Sequence, residues 1–351
     1  MKTDVLVVGA GPAGIMAALT ADRAGADVIL IDESVFLGGQ LRNQTQYVSN
    51  LPKNIDSSLG IEIYNELENQ LNNSNITVLT NHTMVGSFKN GNIGVSNGEK
   101  VFEIQSKKNI LAPGAQEEAL IFPGWTLPGV MTAGAAQILV NREFVRPGNE
   151  AIMVGSNIFS LEVALLLQQC GVSVKAIIEE QLNIQCKDTS KLGEIGNIPI
   201  FTSSRIKAAR GRGKVEQVII ETPNGENELY VDLICVANGF RPILEPFEIL
   251  NCEFTYKKGL GGWIPKYDNR FLTGNPNCYV AGNAAGITEL GPILLTGEIA
   301  AWNALGEIGL VCSIEVDKKT KNLWDELSRL EDEYVFKERL NLINNTSTIK
   351  Y

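Results

Sequence analysis

The sequence predicts an α/β protein in which one nucleotide-binding unit contains a second, smaller unit inserted into its chain. An apolar run at residues 5–8 leads through a glycine-rich turn into a helical stretch and a second apolar run at 28–31. The same order of strand, turn, helix and strand returns at 151–178. A stretch containing Pro123, Pro128 and several glycines precedes this second unit and marks a crossing between domains.

The first turn has the spacing of a dinucleotide fingerprint. Gly9 is placed to make the tight turn after the strand, Gly11 to let a pyrophosphate approach the backbone, and Gly14 to let the helix pack on the strand. The helix N-terminus then offers N–H groups and its positive dipole end to phosphates. Asp32 lies eighteen residues after Gly14, where a carboxylate accepts hydrogen bonds from a ribose. This Rossmann-like unit is therefore predicted to bind a nucleotide through Gly9, Gly11, Pro12, Ala13, Gly14, Asp32 and Glu33.

Composition limits the classes of partner. The 351 residues, 44% of them hydrophobic, can form one large core or two of ordinary domain size. The net charge of −10 argues against a surface for nucleic acid or anionic membrane. No apolar stretch approaches the length of a membrane span, and the chain enters a strand directly after its first four residues. We therefore expect a cytoplasmic protein with no nucleic-acid partner and no membrane span.

Cysteine and histidine exclude several kinds of site. No two of the six cysteines lie within three residues of each other, so a CxxC redox centre and the local zinc or iron–sulfur spacings are absent from the sequence. Cys170 and Cys235 are expected to be small buried hydrophobic residues. His82, the only histidine, is expected at the surface or with its hydrogen bonds satisfied locally. No metal site is predicted.

The whole chain is predicted to divide into four parts. These are a first part of the main domain at 1–115, an inserted domain at 116–240, a second part of the main domain at 241–310 and a helical tail at 311–351. Short strands are predicted at 76–79, 84–88, 93–95, 101–104 and 109–111, and a hairpin at 215–221 and 229–236. The tail carries Leu323, Leu327 and Leu330 at helical spacing, which favours packing on its own domain over binding a partner.

The inserted unit has lost most of the fingerprint. Gly155, Asn157 and Ser160 stand where three glycines are expected, so Cβ atoms occupy positions that a pyrophosphate and the helix would use. Glu179 ends the second strand and could still hold a ribose, and no arginine cluster follows to accept a 2′-phosphate. These four residues form a weak second nucleotide site at most, which would favour NAD over NADP, and a packing-only unit is the preferred interpretation.

The order of these motifs resembles a known superfamily, the two-dinucleotide-domain flavoproteins of the FAD/NAD(P)-dependent pyridine nucleotide-disulfide oxidoreductase type, which include thioredoxin reductase. The resemblance rests on the first turn, on Gly38-Gly39-Gln40-Leu41, on Ala112-Pro113-Gly114 and on the segment ending in Gly282-Asn283. It implies a Rossmann-like FAD-binding domain with an inserted second, smaller Rossmann-like NAD-type domain. The cofactor-binding residues that it adds are Gly39, Gln40, Leu41, Arg42, Val85, Ala112, Gly114, Gly282, Asn283, Gly291 and Pro292.

One of these positions departs from the superfamily. Asn283 replaces the usual aspartate that binds the ribityl chain, and its amide oxygen can accept a hydroxyl proton without the strength that a charge would add. The helix that begins near Gly291 and Pro292 would direct its N–H groups at the pyrimidine edge of the flavin.

A narrower resemblance rests on residues 122–137, together with 31–33 and 236–242. These strings resemble the α-type subunits of dye-linked L-proline or hydroxyproline dehydrogenases, opine oxidases, hydrogen cyanide synthase and heterotetrameric sarcosine oxidase. The resemblance implies a hetero-oligomer in which a catalytic flavoprotein β subunit oxidises an amine, with FMN as a further cofactor at the contact between subunits. The longer relatives carry a cysteine-rich C-terminal segment for an iron–sulfur cluster, whereas residues 307–351 contain only Cys312, so that electron relay would have to be absent or supplied by another chain.

The leading hypothesis is an FAD-dependent oxidoreductase subunit of an amine or amino-acid dehydrogenase complex that acts on a proline, hydroxyproline, sarcosine or opine-type substrate. The first site would hold FAD, with ATP or NAD as alternatives, and would relay electrons from the partner subunit. The alternative is a non-catalytic nucleotide-binding subunit that docks the catalytic partner. An NADH-dependent flavin reductase is disfavoured because the second fingerprint is degenerate, and no motif singles out a catalytic acid or base.

Overall fold

A computed structural model describes residues 1–55 and 59–347 of the chain, which divides into two units. Unit 1 comprises Met1–Gln116 and Arg241–Tyr351, and unit 2 comprises Glu117–Phe240. Unit 2 is therefore an insertion in the chain of unit 1. The predicted α/β class is confirmed, and each unit contains a parallel sheet of the kind that dinucleotide-binding folds use.

Strands and helices alternate near the start of each unit, and longer runs of strands follow. Their bounds are β1 (Lys2–Val8), β2 (Val28–Asp32), β3 (Thr77–Thr80), β4 (Thr83–Ser87), β5 (Ile93–Ser96), β6 (Val101–Leu111), β7 (Ala115–Glu117), β8 (Val130–Thr132), β9 (Glu150–Val154), β10 (Ser173–Ile178), β11 (Ile200–Phe201), β12 (Arg205–Arg210), β13 (Gln217–Thr222), β14 (Gly225–Tyr230), β15 (Leu233–Val236), β16 (Phe240–Pro242), β17 (Phe254–Lys257), β18 (Gly262–Pro265) and β19 (Cys278–Val280). The chain passes between the units within β7 and β16.

The helices are also numbered in chain order. They are α1 (Pro12–Arg23), α2 (Gly60–Asn72), α3 (Ala133–Asn141), α4 (Ile158–Gln169), α5 (Thr189–Glu194), α6 (Glu245–Ile249), α7 (Leu290–Glu307), α8 (Ser313–Leu330) and α9 (Glu333–Ser347). Short 3₁₀ helices occur at Gly39–Asn43, Lys258–Leu260 and Gly282–Ala285.

The sheet of unit 1 runs in the order β3-β2-β1-β6-β5-β4, and β19 also pairs with β6. Strands β1, β2, β3 and the end of β6 are parallel, whereas β4 and β5 are antiparallel to their neighbours. The separate strands predicted at 101–104 and 109–111 are wrong, because β6 is continuous from Val101 to Leu111. Its first half pairs with β5 and its second half with β1, so polar residues between them remain in the ladder.

The parallel sheet of unit 2 runs in the order β11-β10-β9-β15-β8, and β12, β13 and β14 form a separate antiparallel sheet. The hairpin predicted at 215–221 and 229–236 is partly wrong. Strand β13 turns back into β14, which is largely exposed and polar, whereas β15 lies in the parallel sheet between β9 and β8. All four residues of β15 are buried, which explains why its sequence is uniformly apolar.

The core of unit 1 positions the first turn. Residues Val5, Leu6 and Val7 of β1 are fully buried, and helix α1 packs behind them with its small residues. Helix α7 approaches α1 closely at Gly297, whose missing Cβ would lie 2.2 Å from the carbonyl oxygen of Ala13. The turn between β1 and α1 is therefore held by well-packed elements on both sides.

The C-terminal segment packs on unit 1. Leu327 and Leu330 of α8 are buried in the main core, and Leu323 and Trp324 pack against that core. The indole ring of Trp324 also stacks on Phe271, with ring centroids 5.5 Å apart. The apolar stripe of α8 is thus covered by its own unit.

Candidate functional site

The turn after β1 requires glycine at two positions. Gly9 has a φ of +98°, and a Cβ there would lie 2.2 Å from the carbonyl oxygen of Ala112. A Cβ on Gly14 would lie 1.8 Å from the carbonyl oxygen of Gly9. These contacts keep β1, β6 and α1 close together, so both glycines are needed by the fold itself.

Gly11 is a glycine for a different reason. Its φ of −73° and ψ of −179° suit any residue, and no atom of the described chain lies within 4 Å of the Cβ that it lacks. Pro12 follows as the first helical residue, and within the described residues no side chain caps the start of α1. The open space therefore borders helical N–H groups and the positive end of the helix dipole, which together suit an anion.

Asp32 lies beside the same turn, at the end of β2. Its Oδ2 accepts a hydrogen bond from the N–H of Ala10 at 2.6 Å, and its Oδ1 accepts one from Ser34 at 2.8 Å. Burial raises the pKa of Asp32, and the two backbone hydrogen bonds partly offset that effect. Each carboxylate oxygen keeps a lone pair that can accept a ribose hydroxyl. The neighbouring Glu33 is exposed.

The segment around Gly39 lies against the same turn. The N–H of Gly38 donates to the carbonyl of Ala10 at 2.8 Å, and a Cβ on Gly39 would lie 3.1 Å from the Cα of Gly11. Gln40 is exposed and its Oε1 accepts a hydrogen bond from Asn43 at 3.0 Å.

Leu41 and Arg42, which follow Gln40, contact other residues of the protein. Leu41 is buried in the core with 2% of its surface exposed, and the Arg42 guanidinium lies 4.4 Å from the centroid of the Phe36 ring.

The turn at Gly282–Ala285 completes the crevice. A Cβ on Gly282 would lie 2.9 Å from the Cβ of Ala13, which places this turn beside the start of α1. The N–H of Gly282 donates to the hydroxyl of Thr296 at 2.8 Å. The N–H of Thr288 donates to Oδ1 of Asn283 at 3.1 Å, which orients the carboxamide and leaves its N–H₂ and one lone pair. Sequence reasoning missed Thr296, whose only signal is a hydroxyl in a largely apolar helix.

The remaining predicted residues lie in different settings. Val85 is 49% exposed on β4, and Gly114 has a φ of +83° with no atom of the described chain within 4 Å of its missing Cβ. A Cβ on Gly291 would lie 2.0 Å from the carbonyl oxygen of Asn50, so this glycine serves a close backbone contact, and Pro292 is buried beside it. Their contact with a cofactor stays a prediction.

Taken together, the residues of unit 1 fit an adenine dinucleotide. The structure brings Gly11, Asp32, Gly39 and Gly282 around one crevice. An open glycine cradle at an uncapped helix suits a diphosphate, and a partly satisfied carboxylate suits a ribose. The carboxamides of Gln40, which is exposed, and of Asn283, which is half-buried, add polar groups beyond the start of α1.

Unit 2 repeats the backbone design of this turn. Gly155 has a φ of +96°, and a Cβ there would lie 2.5 Å from the carbonyl oxygen of Ala237, as with Gly9 and Ala112. Glu179 accepts hydrogen bonds from the N–H groups of Ser156 at 3.0 Å and Gln181 at 2.7 Å, which correspond to those that Asp32 accepts. The two units therefore share one structural plan.

The binding groups of unit 2 are already used within the unit. Glu179 is 1% exposed and also accepts hydrogen bonds from the Ser156 hydroxyl at 2.5 Å and from Nε2 of Gln185 at 2.9 Å. Asn157 caps α4 by accepting a hydrogen bond from the N–H of Ser160 at 2.9 Å and donates to Ala237 at 2.8 Å. The side chain of Asn157 thus occupies the helix end that Gly11 leaves open in unit 1.

The structure also bears on other classes of site. Within residues 1–55 and 59–347, no cluster of three or more His, Cys, Asp or Glu side chains is arranged to hold a metal ion. Nδ1 of His82 lies 2.7 Å from the carbonyl oxygen of Thr80, so the imidazole is satisfied locally. Over the same described ranges, no helix combines the length and apolar character needed to cross a bilayer.

Comparison with known proteins agrees with this geometry. The profile of the family described as pyridine nucleotide-disulphide oxidoreductase matches residues 3–304. The chain is 29% identical to the A chain of the opine oxidase of Rhizobium meliloti, over 93% of this chain and 67% of that protein. It is also 29% identical to the alpha chain of the sarcosine oxidase of Rhizobium meliloti (strain 1021), over 88% of this chain and 31% of that protein.

A solved structure is also similar to this chain. The crystal structure of L-proline dehydrogenase from P. horikoshii superposes with a TM-score of 0.73 at 25% identity, over 92% of this chain and 59% of that chain. The predicted resemblance is therefore confirmed, although the chain spans only part of these proteins.

Proposed function

Since the chain belongs to the pyridine nucleotide-disulphide oxidoreductase family, we propose that it is the FAD-binding subunit of a complex that dehydrogenates a secondary amine or amino acid. The similar proteins include subunits of an opine oxidase and of a sarcosine oxidase, together with an L-proline dehydrogenase, and each is named for the oxidation or dehydrogenation of an opine or an amino acid. The substrate of the complex would accordingly be a proline, hydroxyproline, sarcosine or opine-type compound.

The observation that carries the proposal is the contrast between the two turns. Unit 1 leaves the helix end at Gly11 open and Asp32 partly satisfied, whereas unit 2 fills the corresponding positions with Asn157 and closes Glu179 inside the protein. A fold that keeps one crevice clear and fills its copy supports a single nucleotide site, located in unit 1.

The residues of unit 1 then have distinct tasks. The first N–H groups of α1 would bind the diphosphate, and Asp32 would accept hydrogen bonds from the adenosine ribose. Asn283 would orient a hydroxyl of the ribityl chain with its remaining donor and acceptor, while Gly39 and Gln40 would line the approach to the ring. Bound FAD would supply two-electron redox chemistry, and the chain supplies position and electrostatics.

The chemistry at the amine is assigned to a partner. The crevice residues of unit 1 offer Asp32 as a carboxylate, but its two oxygens already accept hydrogen bonds from Ala10 and Ser34 and are placed to bind a ribose. The partner would be a flavoprotein β subunit that oxidises the substrate, and FMN at the contact between the subunits would link it to this chain. Electrons would pass from that subunit to the FAD of unit 1.

A spectrum of the purified chain tests the proposal. We expect a yellow protein that releases FAD in a 1:1 ratio on heat denaturation, identified by chromatography and mass spectrometry. Alone, the chain should stay oxidised with L-proline or sarcosine, and it should be bleached when the β subunit is present. A colourless chain loaded with ATP or NAD would overturn the redox role and leave a nucleotide-binding subunit that docks the catalytic partner.

A further inference from the structure

A buried charged cluster lies directly behind the Gly282–Ala285 turn. Arg339 of α9 is fully buried, and its guanidinium forms two hydrogen bonds with Glu331, at 2.9 Å from Nε and 2.7 Å from Nη2. Its Nη1 donates to the hydroxyl of Tyr267 and to the carbonyl oxygen of Ala285, each at 2.7 Å. The Tyr267 hydroxyl donates to the same carbonyl at 2.7 Å.

Burying this charged cluster costs free energy, so its presence indicates a role other than stability alone. Burying an ion pair removes hydration from both charges, and such pairs often contribute little net stability compared with apolar residues of the same size. Burial alone would lower the pKa of Arg339, but Tyr267 and Glu331 outweigh it and raise that pKa. All four hydrogen bonds of the guanidinium are 2.7–2.9 Å long, so its position is fixed from several sides.

The contact with Ala285 connects the C-terminal helices to the cofactor crevice. Gly286, the next residue, has a φ of +129° and donates its N–H to the carbonyl of Asn283 at 3.1 Å. Holding the Ala285 carbonyl fixes the peptide that joins it to Gly286, and that peptide closes the turn that presents Asn283. Arg339 lies beyond residue 304, where the family match ends, so the family pattern did not point to it.

We propose that Arg339 is a positioning residue for the cofactor turn: through Ala285 it fixes the orientation of Asn283, so the C-terminal helices complete the nucleotide site. This inference rests on the proposed function, because it assumes that Asn283 faces bound FAD. Glu331 and Tyr267 act with Arg339, since Glu331 orients the guanidinium and Tyr267 shares the carbonyl. The segment 331–339 thereby joins the set of residues that decide how FAD is held.

The test distinguishes the effect of Arg339 on the orientation of Asn283 from its effect on the stability of the fold. Arg339→Met alone leaves Glu331 buried without its partner and should unfold the chain readily. The double variant Arg339→Met with Glu331→Leu removes both charges and should regain thermal stability, but it leaves the Ala285 carbonyl without its charged donor. Lys337→Met is the matched control, because Lys337 forms an exposed ion pair with Glu333 on the same helix.

The readouts are the dissociation constant of FAD, from quenching of flavin fluorescence, and the absorbance spectrum of the bound flavin. We expect the double variant to bind FAD about tenfold more weakly, with a shifted visible band, because Asn283 loses its fixed orientation. Lys337→Met should match the wild-type protein in both. Tyr267→Phe, which keeps the ring and removes one of the two donors to Ala285, should give a smaller change in the same direction.

Wild-type affinity and spectrum in a stably folded double variant would overturn the inference. If the double variant does not fold, wild-type affinity and spectrum in Tyr267→Phe would overturn it equally. A wild-type chain that does not bind FAD would instead refute the proposed function, so the two failures are distinguishable.

Discussion

Replacing Gly11 with alanine should weaken the binding of FAD without destabilising the fold. The backbone at Gly11 has a φ of −73° and a ψ of −179°, which alanine adopts without strain, and no atom of the described chain lies within 4 Å of the new methyl group. Because alanine also restricts the unfolded chain, the variant should be equally stable or more stable by about 0.4–1 kcal/mol. The same methyl group would fill the space assigned to the diphosphate.

The effect on binding follows from the hydrogen bonds that a displaced diphosphate loses. Two hydrogen bonds to a charged group are worth about 3 kcal/mol at the lower end of their range, which corresponds to roughly a hundredfold weaker binding of FAD. Isothermal titration of the nucleotide-free chain measures the affinity, and a thermal melt without nucleotide measures stability. Gly14→Ala is the contrasting control, because its Cβ would lie 1.8 Å from the carbonyl of Gly9 and should damage the fold itself.

Wild-type affinity for FAD in a well-folded Gly11→Ala variant would refute the reasoning. The open space at Gly11 would then have no part in binding, and the start of α1 would not be the diphosphate site. A large loss of thermal stability would also refute it, because it would show that the position is not open in solution.

Three further predictions concern other parts of the chain. NADH should neither bleach the flavin nor bind measurably by titration, because Asn157 and Glu179 are used within unit 2; rapid bleaching by NADH alone would contradict this. Thr296→Val should weaken FAD binding and lower stability by about 1–3 kcal/mol, because the N–H of Gly282 loses its acceptor, whereas Thr296→Ser should keep both; equal melts and affinities for the two variants would disprove it. Burial raises the pKa of Glu298 from 4.5 to about 7, and Glu326 adds to the effect while Arg23 and Lys319 oppose it. The chain should therefore lose stability as the pH rises from about 5 to 8, by at most about 3 kcal/mol, and Glu298→Gln should remove that loss in urea unfolding at the two pH values; parallel pH dependences would contradict it.

Local patterns predict the parts of the fold in which sequence and environment agree. The apolar residues 5–8 of β1 and the glycines at 9 and 14 are both dictated by close packing, and that packing is what the fingerprint encodes. Strand β14 escapes prediction because it is an exposed edge with a polar sequence, and β6 is predicted as two strands because residues 105–108 in its middle are polar. In these strands pairing with neighbours, rather than side-chain burial, decides the structure.

The candidate site also contains some residues that the sequence predicts and others that it does not. Gly11, Asp32 and Gly282 follow from spacing along the chain and from the superfamily resemblance. Thr296 and Arg339 could not be predicted, because each acts through a contact with a turn that is distant in sequence. Asn157 is recognisable in the sequence as a lost glycine, but its part in capping α4 emerges only once the helix start is known.

A crystal structure of the chain with FAD tests the central claim most directly. We predict that the diphosphate lies beside Gly11 at the start of α1, with the adenosine ribose at Asp32 and the isoalloxazine ring towards Gly39. Density for the diphosphate in unit 2, or a crevice at Gly11 occupied by protein atoms in the crystal, would contradict it.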